Sequence, residues 1–128
     1  MASMDEDALS KAIIGAAIEV HRHLGPGLLE SAYEQCLAHE LSLRGIAFER
    51  QKRVPVCYKG VQLDCGFRLD LLVQDKVVVE VKAVDNLNAV HQAQGLTYLK
   101  LTGYRLGMLL NFNERSMRSG IKRLVLGL

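Results

Sequence analysis

Apolar residues recur at helical spacing over the first third of the chain. One stripe predicts a helix from Asp5 to about Leu24, and the acidic residues at its start suit the positive end of the helix dipole. Gly25-Pro26-Gly27 then breaks the pattern. A second stripe predicts a helix from about Leu28 to Leu43, which Arg44-Gly45 closes with a glycine suited to the left-handed cap position.

After Gly45 the pattern alternates, as is typical of strands. Val54–Tyr58 and Val61–Cys65 are predicted to pair across a tight turn at Lys59-Gly60, and Gly66 is expected to bend the chain before it continues as Phe67–Val73. The run Val77–Val84 is apolar at all but two positions, which indicates a central strand that is buried on both faces.

The remaining pattern predicts one more helix and two more strands. The helix spans roughly Leu87–Leu101 and ends at Thr102-Gly103, and a near-continuous apolar strand follows over Tyr104–Phe112. A loop over residues 113–120 leads to a short last strand, Ile121–Leu126. The order of elements predicts one mixed sheet with helices packed on it, in a single α/β domain spanning residues 1–128.

Composition narrows the class of protein. A chain of 128 residues fits one domain, and 49% hydrophobic with 23% charged residues is ordinary for a globular protein. No apolar run approaches the ~20 residues of a membrane span, and the N-terminus lacks the pattern of a secretory signal, so we expect a cytoplasmic protein without membrane contact. The three cysteines are isolated, which argues against a disulfide framework or a zinc cluster and predicts free, buried or half-buried thiols.

Charge is distributed unevenly along the chain. The net charge is +2, but residues 1–49 carry −5, residues 50–99 carry +2 and residues 100–128 carry +5. The basic C-terminal stretch contains Arg115, Arg118, Lys122 and Arg123. Such polarity is compatible with a basic face for a phosphate backbone, with a solvated surface and with a dimer contact, and charge alone does not choose among them.

Two charged residues interrupt the central strand. Because side chains alternate along a strand, Glu80 and Lys82 point to one face while Val79 and Val81 point to the other. Burying either charge alone is costly, so each needs compensation. An ion pair between Glu80 and Lys82 is the structural explanation of this pattern.

A third charged residue favours a chemical explanation. Antiparallel pairing around Asp75-Lys76 places Asp70 nearly opposite Glu80, since each lies five residues from the turn. Two carboxylates in a half-buried site repel each other unless a cation lies between them, and carboxylate oxygens with water suit magnesium. Lys82 is then placed to orient or deprotonate an attacking water and to neutralise charge on a phosphoryl oxygen.

Two helices offer further candidates. Glu30 follows the Gly25-Pro26-Gly27 break, where a carboxylate either stabilises the helix dipole or, with Tyr33 and Glu34 extending its face, reaches across the sheet to the site. In the third helix His91, Gln94 and Tyr98 share one face, which is typical either of core-edge residues or of contacts to a substrate phosphate. The other three histidines have no convincing liganding partners in the sequence.

These residues together resemble the PD-(D/E)XK nuclease superfamily. The order Glu30 helix, Asp70, Glu80-Val81-Lys82 and a helix with Gln94 and Tyr98 matches its pattern. The stretch Gly27-Leu28-Leu29-Glu30-Ser31-Ala32-Tyr33 is similar to the signature of its GxxExxY branch, and the likeness extends from about Ala8 to Leu126. Leu69 stands where the superfamily's name has proline, a position that the chemistry does not need.

The resemblance implies a fold, a cofactor and roles for residues. The fold is a restriction-endonuclease-like α/β core of helix, three-stranded antiparallel meander, helix and strand, here with an extra N-terminal helix and a short C-terminal strand. The implied metal ligands of Mg²⁺, for which Mn²⁺ can substitute, are Asp70, Glu80 and the Val81 carbonyl. Lys82, Glu30 and Gln94 are the implied catalytic residues, while His91 and Tyr98 are expected to bind substrate.

The expected activity is hydrolysis of DNA or RNA, with DNA favoured, by a metal-dependent nuclease. A site this small would engage few phosphates alone, so we also expect a homodimer or a larger complex. The alternative is a non-catalytic module of the same fold that binds nucleic acid or a protein, because a shared fold does not fix a function.

Overall fold

A computed structural model of the protein describes residues 3–127. Its elements follow the chain as α1 (Glu6–Leu24), α2 (Glu30–Leu43), β1 (Phe48–Arg53), β2 (Val56–Tyr58), β3 (Val61–Leu63), β4 (Arg68–Val73), β5 (Val77–Lys82), α3 (Ala89–Thr102), β6 (Leu106–Asn111), a short 3₁₀ helix (Met117–Gly120) and β7 (Ile121–Val125). No helix within this described part is long and apolar enough to cross a membrane.

Five strands form the main sheet in the order β1-β4-β5-β6-β7. Neighbouring strands are antiparallel except β5 and β6, which are parallel and joined by α3. Because β5 and β6 are parallel, Lys82 and Asn111 lie side by side at the same end of the sheet. The loops that follow these two strands therefore start next to each other.

The predicted fold class is confirmed, with one change in which strands form the meander. Its three antiparallel strands are β1, β4 and β5, whereas the predicted hairpin, β2 and β3, forms a separate two-stranded ladder. Strand β1 was not predicted because it lies at the sheet edge and is mostly exposed, so its residues do not alternate between apolar and polar. The alternation of apolar and polar residues in this hairpin does not mark a buried face, since β3 is exposed throughout.

Local interactions set the ends of the helices. Asp5 caps α1, where its Oδ1 atom accepts a hydrogen bond from the Ala8 N–H at 2.8 Å. Helix α2 begins at Glu30 rather than at Leu28, because Leu29 is the extended N-cap residue. Helix α3 begins at Ala89 rather than Leu87, because Asn88 forms its cap. The predicted glycine after α2 is confirmed, since Gly45 has φ +71°.

Two apolar cores lie on opposite faces of the sheet. The larger packs α1 and α2 on residues such as Val79, Val81 and Phe112, and the smaller packs α3 on residues such as Val78 and Leu109. Alternation in β5 therefore places Glu80 and Lys82 on the α3 face, as predicted. The cysteines are free, as predicted, but all three are exposed rather than buried.

Candidate active site

The site begins where β4 and β5 stop pairing. Their register ends at Leu71 opposite Val79, and the same register places Asp70 opposite Glu80, as the sequence predicted. The Val81 N–H does not pair with the backbone of β4 but donates to Asp70 Oδ2 at 2.8 Å. The carboxylate of Asp70 thus fills the gap between the two strands and lies beside Glu80.

Glu80 is nearly buried, and one of its oxygens has no partner. Its exposed fraction is 6%, and the Oε1 atom accepts no hydrogen bond from residues 3–127. Burial, followed by the negative charge of Asp70, raises the pKa of Glu80 to about 9. Burial also raises the pKa of Asp70, although the hydrogen bond from Val81 lowers it. Without a cation, the two carboxyl groups therefore favour sharing a proton over both being ionised.

Lys82 supplies positive charge to this pair from the end of β5. Its charge lowers the pKa of both Asp70 and Glu80. However, Lys82 and Glu80 do not form an ion pair within residues 3–127, because their charged atoms lie more than 4.0 Å apart. The Lys82 backbone is fixed, because its carbonyl accepts from the Phe112 N–H at 2.9 Å. The Glu80–Lys82 ion pair that would explain the two charges structurally is thus not formed, and the Lys82 ammonium group stays available.

Glu30 reaches the same end of the sheet from α2. Its Oε2 atom accepts from the Ala83 N–H at 3.2 Å, directly after Lys82. The loop before it is held by Tyr33, whose hydroxyl donates to the Gly25 carbonyl at 2.6 Å and accepts from the Leu28 N–H at 3.0 Å. Glu30 also lies in the first turn of α2, so it both suits the helix dipole and contacts the site.

Helix α3 brings one of its three candidates, Tyr98, to the carboxylates, and a second, Gln94, to Tyr98. Tyr98 is 8% exposed, and its pKa is raised by burial and then by the charges of Glu80 and Asp70. Gln94 forms a side-chain hydrogen bond with Tyr98. His91 has a structural task at the start of the helix, where its Nδ1 atom accepts from the Asn88 N–H in a capping box.

Glu34 is a buried carboxylate close enough to Asp70 to affect its charge. Sequence reasoning treated Glu34 only as a companion of Glu30. Glu34 accepts hydrogen bonds from Arg50 Nη2 and from Gln51 Nε2, both at 2.9 Å, and its charge raises the pKa of Asp70. Gln51 has φ +52°, and the pairing of β1 with β4 skips the position of Gln51 and Asp70. This irregular strand pair turns polar groups toward the site, a common use of distorted strands.

Asn111 is the second residue that sequence reasoning missed. It is fully buried at the end of β6, where its side chain donates to the Val84 carbonyl at 2.9 Å and accepts from the Val84 N–H at 3.0 Å. Asn111 therefore holds the segment after Lys82 against the sheet. The signal available in the sequence was a polar residue within the apolar run 106–112.

Comparison with protein families agrees with this geometry. A family model described as the PD-(D/E)XK nuclease superfamily matches residues 7–124. The chain belongs to this superfamily. Its members are generally nucleases, which act on nucleic acids and typically use divalent metals. No curated protein and no solved structure showed significant similarity to the chain.

The site of this superfamily member has donor groups that fit a divalent cation. Asp70 and Glu80 offer hard oxygen ligands, and the unpartnered, buried Oε1 atom of Glu80 lacks the compensation that a cation would supply. The N–H and carbonyl of a strand residue point to the same edge, so the Val81 carbonyl lies on the side of Asp70. Residues 3–127 contain no group of three or more His, Cys, Asp or Glu side chains placed to hold a metal ion, so water would have to complete the shell, as magnesium prefers.

Proposed function

We propose that the protein is a metal-dependent nuclease that hydrolyses phosphodiester bonds of DNA or RNA. The observation that carries this proposal is the close pair of half-buried Asp70 and buried Glu80 beside Lys82, with an oxygen of Glu80 left without a partner. Maintaining two such carboxyls in a stable fold is costly, and a catalytic role accounts for the cost. Membership of a nuclease superfamily supports the same reading.

The proposed metal ligands are Asp70, Glu80 and the Val81 carbonyl, with Mg²⁺ as the ion and Mn²⁺ able to replace it. When bound, the cation supplies Lewis-acid polarisation of the phosphodiester and activation of water. Lys82 orients the attacking water and neutralises negative charge that develops on the phosphoryl oxygens. Its freedom from an ion pair with Glu80 supports this role, because an engaged ammonium group would first have to be released.

The remaining candidate residues are proposed to position the substrate. Glu30 steadies the strand end after Lys82 through the Ala83 N–H and helps to hold the attacking water. Gln94 contacts the phosphate, and Tyr98, which lies near both carboxylates, lines the substrate position. His91 keeps one ring nitrogen free of the helix cap, and we propose that this Nε2 atom contacts substrate.

Finer assignments are also proposals. We infer that the chain belongs to the GxxExxY branch, which its Gly27 to Tyr33 stretch resembles, and that DNA is the substrate to test first. A homodimer or larger complex would add phosphate contacts to a small site. Light scattering that finds only a monomer at working concentration would remove the homodimer.

Cleavage assays test the proposal directly. Labelled single- and double-stranded DNA and RNA are incubated with EDTA, Mg²⁺ or Mn²⁺. Wild-type protein is expected to cut at least one polymer in a metal-dependent way, and Asp70→Ala or Lys82→Ala is expected to lose about 10³-fold or more of the rate. The loss is expected because Asp70→Ala removes a proposed metal ligand, and Lys82→Ala removes the group proposed to stabilise charge on the phosphoryl oxygens.

A matched lysine controls this assay. Lys100 is exposed on α3 and forms no ion pair within the described residues, so Lys100→Ala should cut like wild type. Thermal melts establish that each variant is folded. Full activity in folded Asp70→Ala or Lys82→Ala would contradict the proposed chemistry, and binding without cutting would favour the non-catalytic module.

A further inference from the structure

The four arginines between Arg105 and Arg123 form two pairs with different surroundings. Arg123 lies 3.7 Å from Asp7, and the nearby Arg105 lies 2.9 Å from Glu6, so both are tied to the acidic start of α1. The side chains of Arg115 and Arg118 form no ion pair or hydrogen bond with any residue within 3–127. The first pair has a structural explanation, whereas the second pair has none.

Arg115 and Arg118 line a cleft of about 320 Å³ between α1 and the 3₁₀ helix. Five of its seven lining residues are polar or cationic, although most of the lining surface is apolar. The lining residues are His21, Arg22, Arg115, Ser116 and Arg118, together with Ile18 and Met117. Arg22 is partly neutralised by Glu19 at 2.7 Å, so the two uncompensated cations of the cleft are Arg115 and Arg118.

The cleft is built on a fixed loop rather than on a free surface segment. The His21 Nε2–H donates to the Glu114 carbonyl at 2.7 Å, and the Gly27 N–H donates to Asn113 Oδ1 at 3.2 Å. Gly120 packs so closely on the Asn111 carbonyl that a Cβ atom would not fit between them. These contacts attach both sides of the cleft to the end of β6.

The cleft lies near the catalytic end of β5. The Phe112 N–H donates to the Lys82 carbonyl at 2.9 Å, and Arg115 follows three residues later. Three residues span at most about 10 Å, so the backbone of Arg115 lies within about 13 Å of the Lys82 carbonyl. With a rise of about 3.4 Å per nucleotide along one strand, this backbone distance corresponds to about four nucleotides. The cleft lies on the α1 face of the sheet and the Lys82 side chain on the α3 face, so a bound strand would cross the end of the sheet between them.

From this arrangement we propose that Arg115 and Arg118 form a second phosphate-binding subsite, which holds a backbone phosphate of the nucleic acid within about four nucleotides of the bond that is cut. Guanidinium groups suit this task because their planar donors match phosphate oxygens. The subsite rests on the proposed function for its ligand. It enlarges the small phosphate footprint of the catalytic site without requiring a second subunit.

The test compares two double variants with equal loss of charge. Arg115→Gln/Arg118→Gln removes the proposed contacts, whereas Arg105→Gln/Arg123→Gln removes the two arginines that face α1. Binding of labelled duplex and single-stranded DNA is measured by fluorescence anisotropy in EDTA between about 50 and 200 mM salt. EDTA separates binding from cutting.

The cleft variant is expected to bind about tenfold more weakly or worse at low salt, and the salt slope of its affinity should fall by about 0.9 for duplex DNA and about 0.7 for single strands, as expected for the loss of one phosphate contact. The control pair should keep the wild-type slope. Because the cleft arginines have no partner in the fold, the melting temperature should not change. Equal slopes for the two double variants, or a wild-type protein that binds no nucleic acid, would overturn the subsite.

Cleavage gives an independent readout on substrates of two lengths. The cleft variant should raise KM for long substrates and leave kcat unchanged, and it should not affect a dinucleotide too short to reach the cleft. An equal effect on both lengths would contradict the subsite and leave the proposed nuclease in place. Binding with the predicted slopes but without cutting would contradict the nuclease and leave the subsite in place.

Discussion

The face of the sheet under α1 and α2 buries an extended apolar core, whereas the face under α3 combines a smaller core with the polar groups of the site. Of the described residues, twenty buried side chains form the first core and eight form the second. Glu80, whose Oε1 atom has no hydrogen-bond partner among residues 3–127, lies on the α3 face. The difference indicates that the α1 and α2 face contributes most of the folding stability, whereas the α3 face contains the polar groups that lower stability and serve function.

The largest expected effect comes from the buried carboxyl pair and depends on pH. The pKa of Glu80 is about 9 in the folded protein and 4.5 without the fold. Below about pH 4.5 both states hold the proton, so the contribution of Glu80 to stability is greatest there. As pH rises toward 9, the unfolded chain ionises first and stability falls, by an amount on the order of several kcal/mol for a shift of this size.

Melting curves in EDTA from pH 5 to about pH 9 check this effect. Wild-type protein should lose melting temperature across this range, and millimolar Mg²⁺ at about pH 8 should restore part of the loss because it stabilises the ionised pair. Glu80→Gln removes the titrating group and serves as the control. An identical pH slope and an identical Mg²⁺ response in Glu80→Gln would show that the pair does not behave as described.

This carboxyl pair could be predicted from the sequence because its geometry is local. A short turn joins β4 and β5, so the count of residues fixed Asp70 opposite Glu80 before any long-range packing was known. Glu30 was accessible for a similar reason, since the break at Gly25-Pro26-Gly27 marks the start of its helix. The residues themselves favoured a magnesium site and a substrate-facing side of α3, whereas the family resemblance was needed to give Gln94 a catalytic role. The metal and the roles of Gln94 and His91 remain predictions.

Glu34 and its partners could not be predicted because their contacts are distant in sequence. Glu34 lies 16 residues from Arg50, and Arg50 lies on an edge strand whose polar residues do not alternate with apolar ones. Tertiary contacts, rather than local preference, set the irregular position of Gln51. His91 is the opposite case, because its contact is local. Its position on the helix face was predicted correctly, but the spacing did not reveal that His91 takes part in the cap of α3.

The next largest effect compares two phenylalanines on the two faces. Phe112 is fully buried and stacks on Tyr33 with ring centroids 4.7 Å apart, whereas Phe67 is 38% exposed and meets Tyr98 edge-on at 6.0 Å. Phe112→Ala should lower the free energy of unfolding by about 3–5 kcal/mol, because it leaves a cavity in the larger core. Phe67→Ala should cost about 1 kcal/mol.

Urea denaturation of the two phenylalanine variants measures the difference. The same substitution of the same residue type makes each variant the control of the other. Similar losses of unfolding free energy in the two variants would mean that both faces of the sheet contribute equally to stability. The proposed difference between the faces would then be wrong.

The smallest expected effect uses two tyrosine hydroxyls. The Tyr33 hydroxyl has two backbone partners in the loop before Glu30, whereas the Tyr98 hydroxyl has the exposed Gln94. Tyr33→Phe should cost about 1–2 kcal/mol of unfolding free energy, because the part-buried Leu28 N–H and Gly25 carbonyl lose their partner. Tyr98→Phe should change stability by less than about 0.5 kcal/mol.

The same two variants separate the roles of the faces, because their effects on cleavage should be reversed. Tyr98→Phe is expected to lower kcat/KM severalfold, since its hydroxyl lies near both carboxylates and the proposed substrate position. Tyr33→Phe should act on cleavage only through the position of Glu30, so lowering the temperature, which favours the folded loop, should recover part of its activity. If instead Tyr98→Phe were the less stable variant and cleaved like wild type, the α3 face would be a structural surface and the functional contrast between the faces would be wrong.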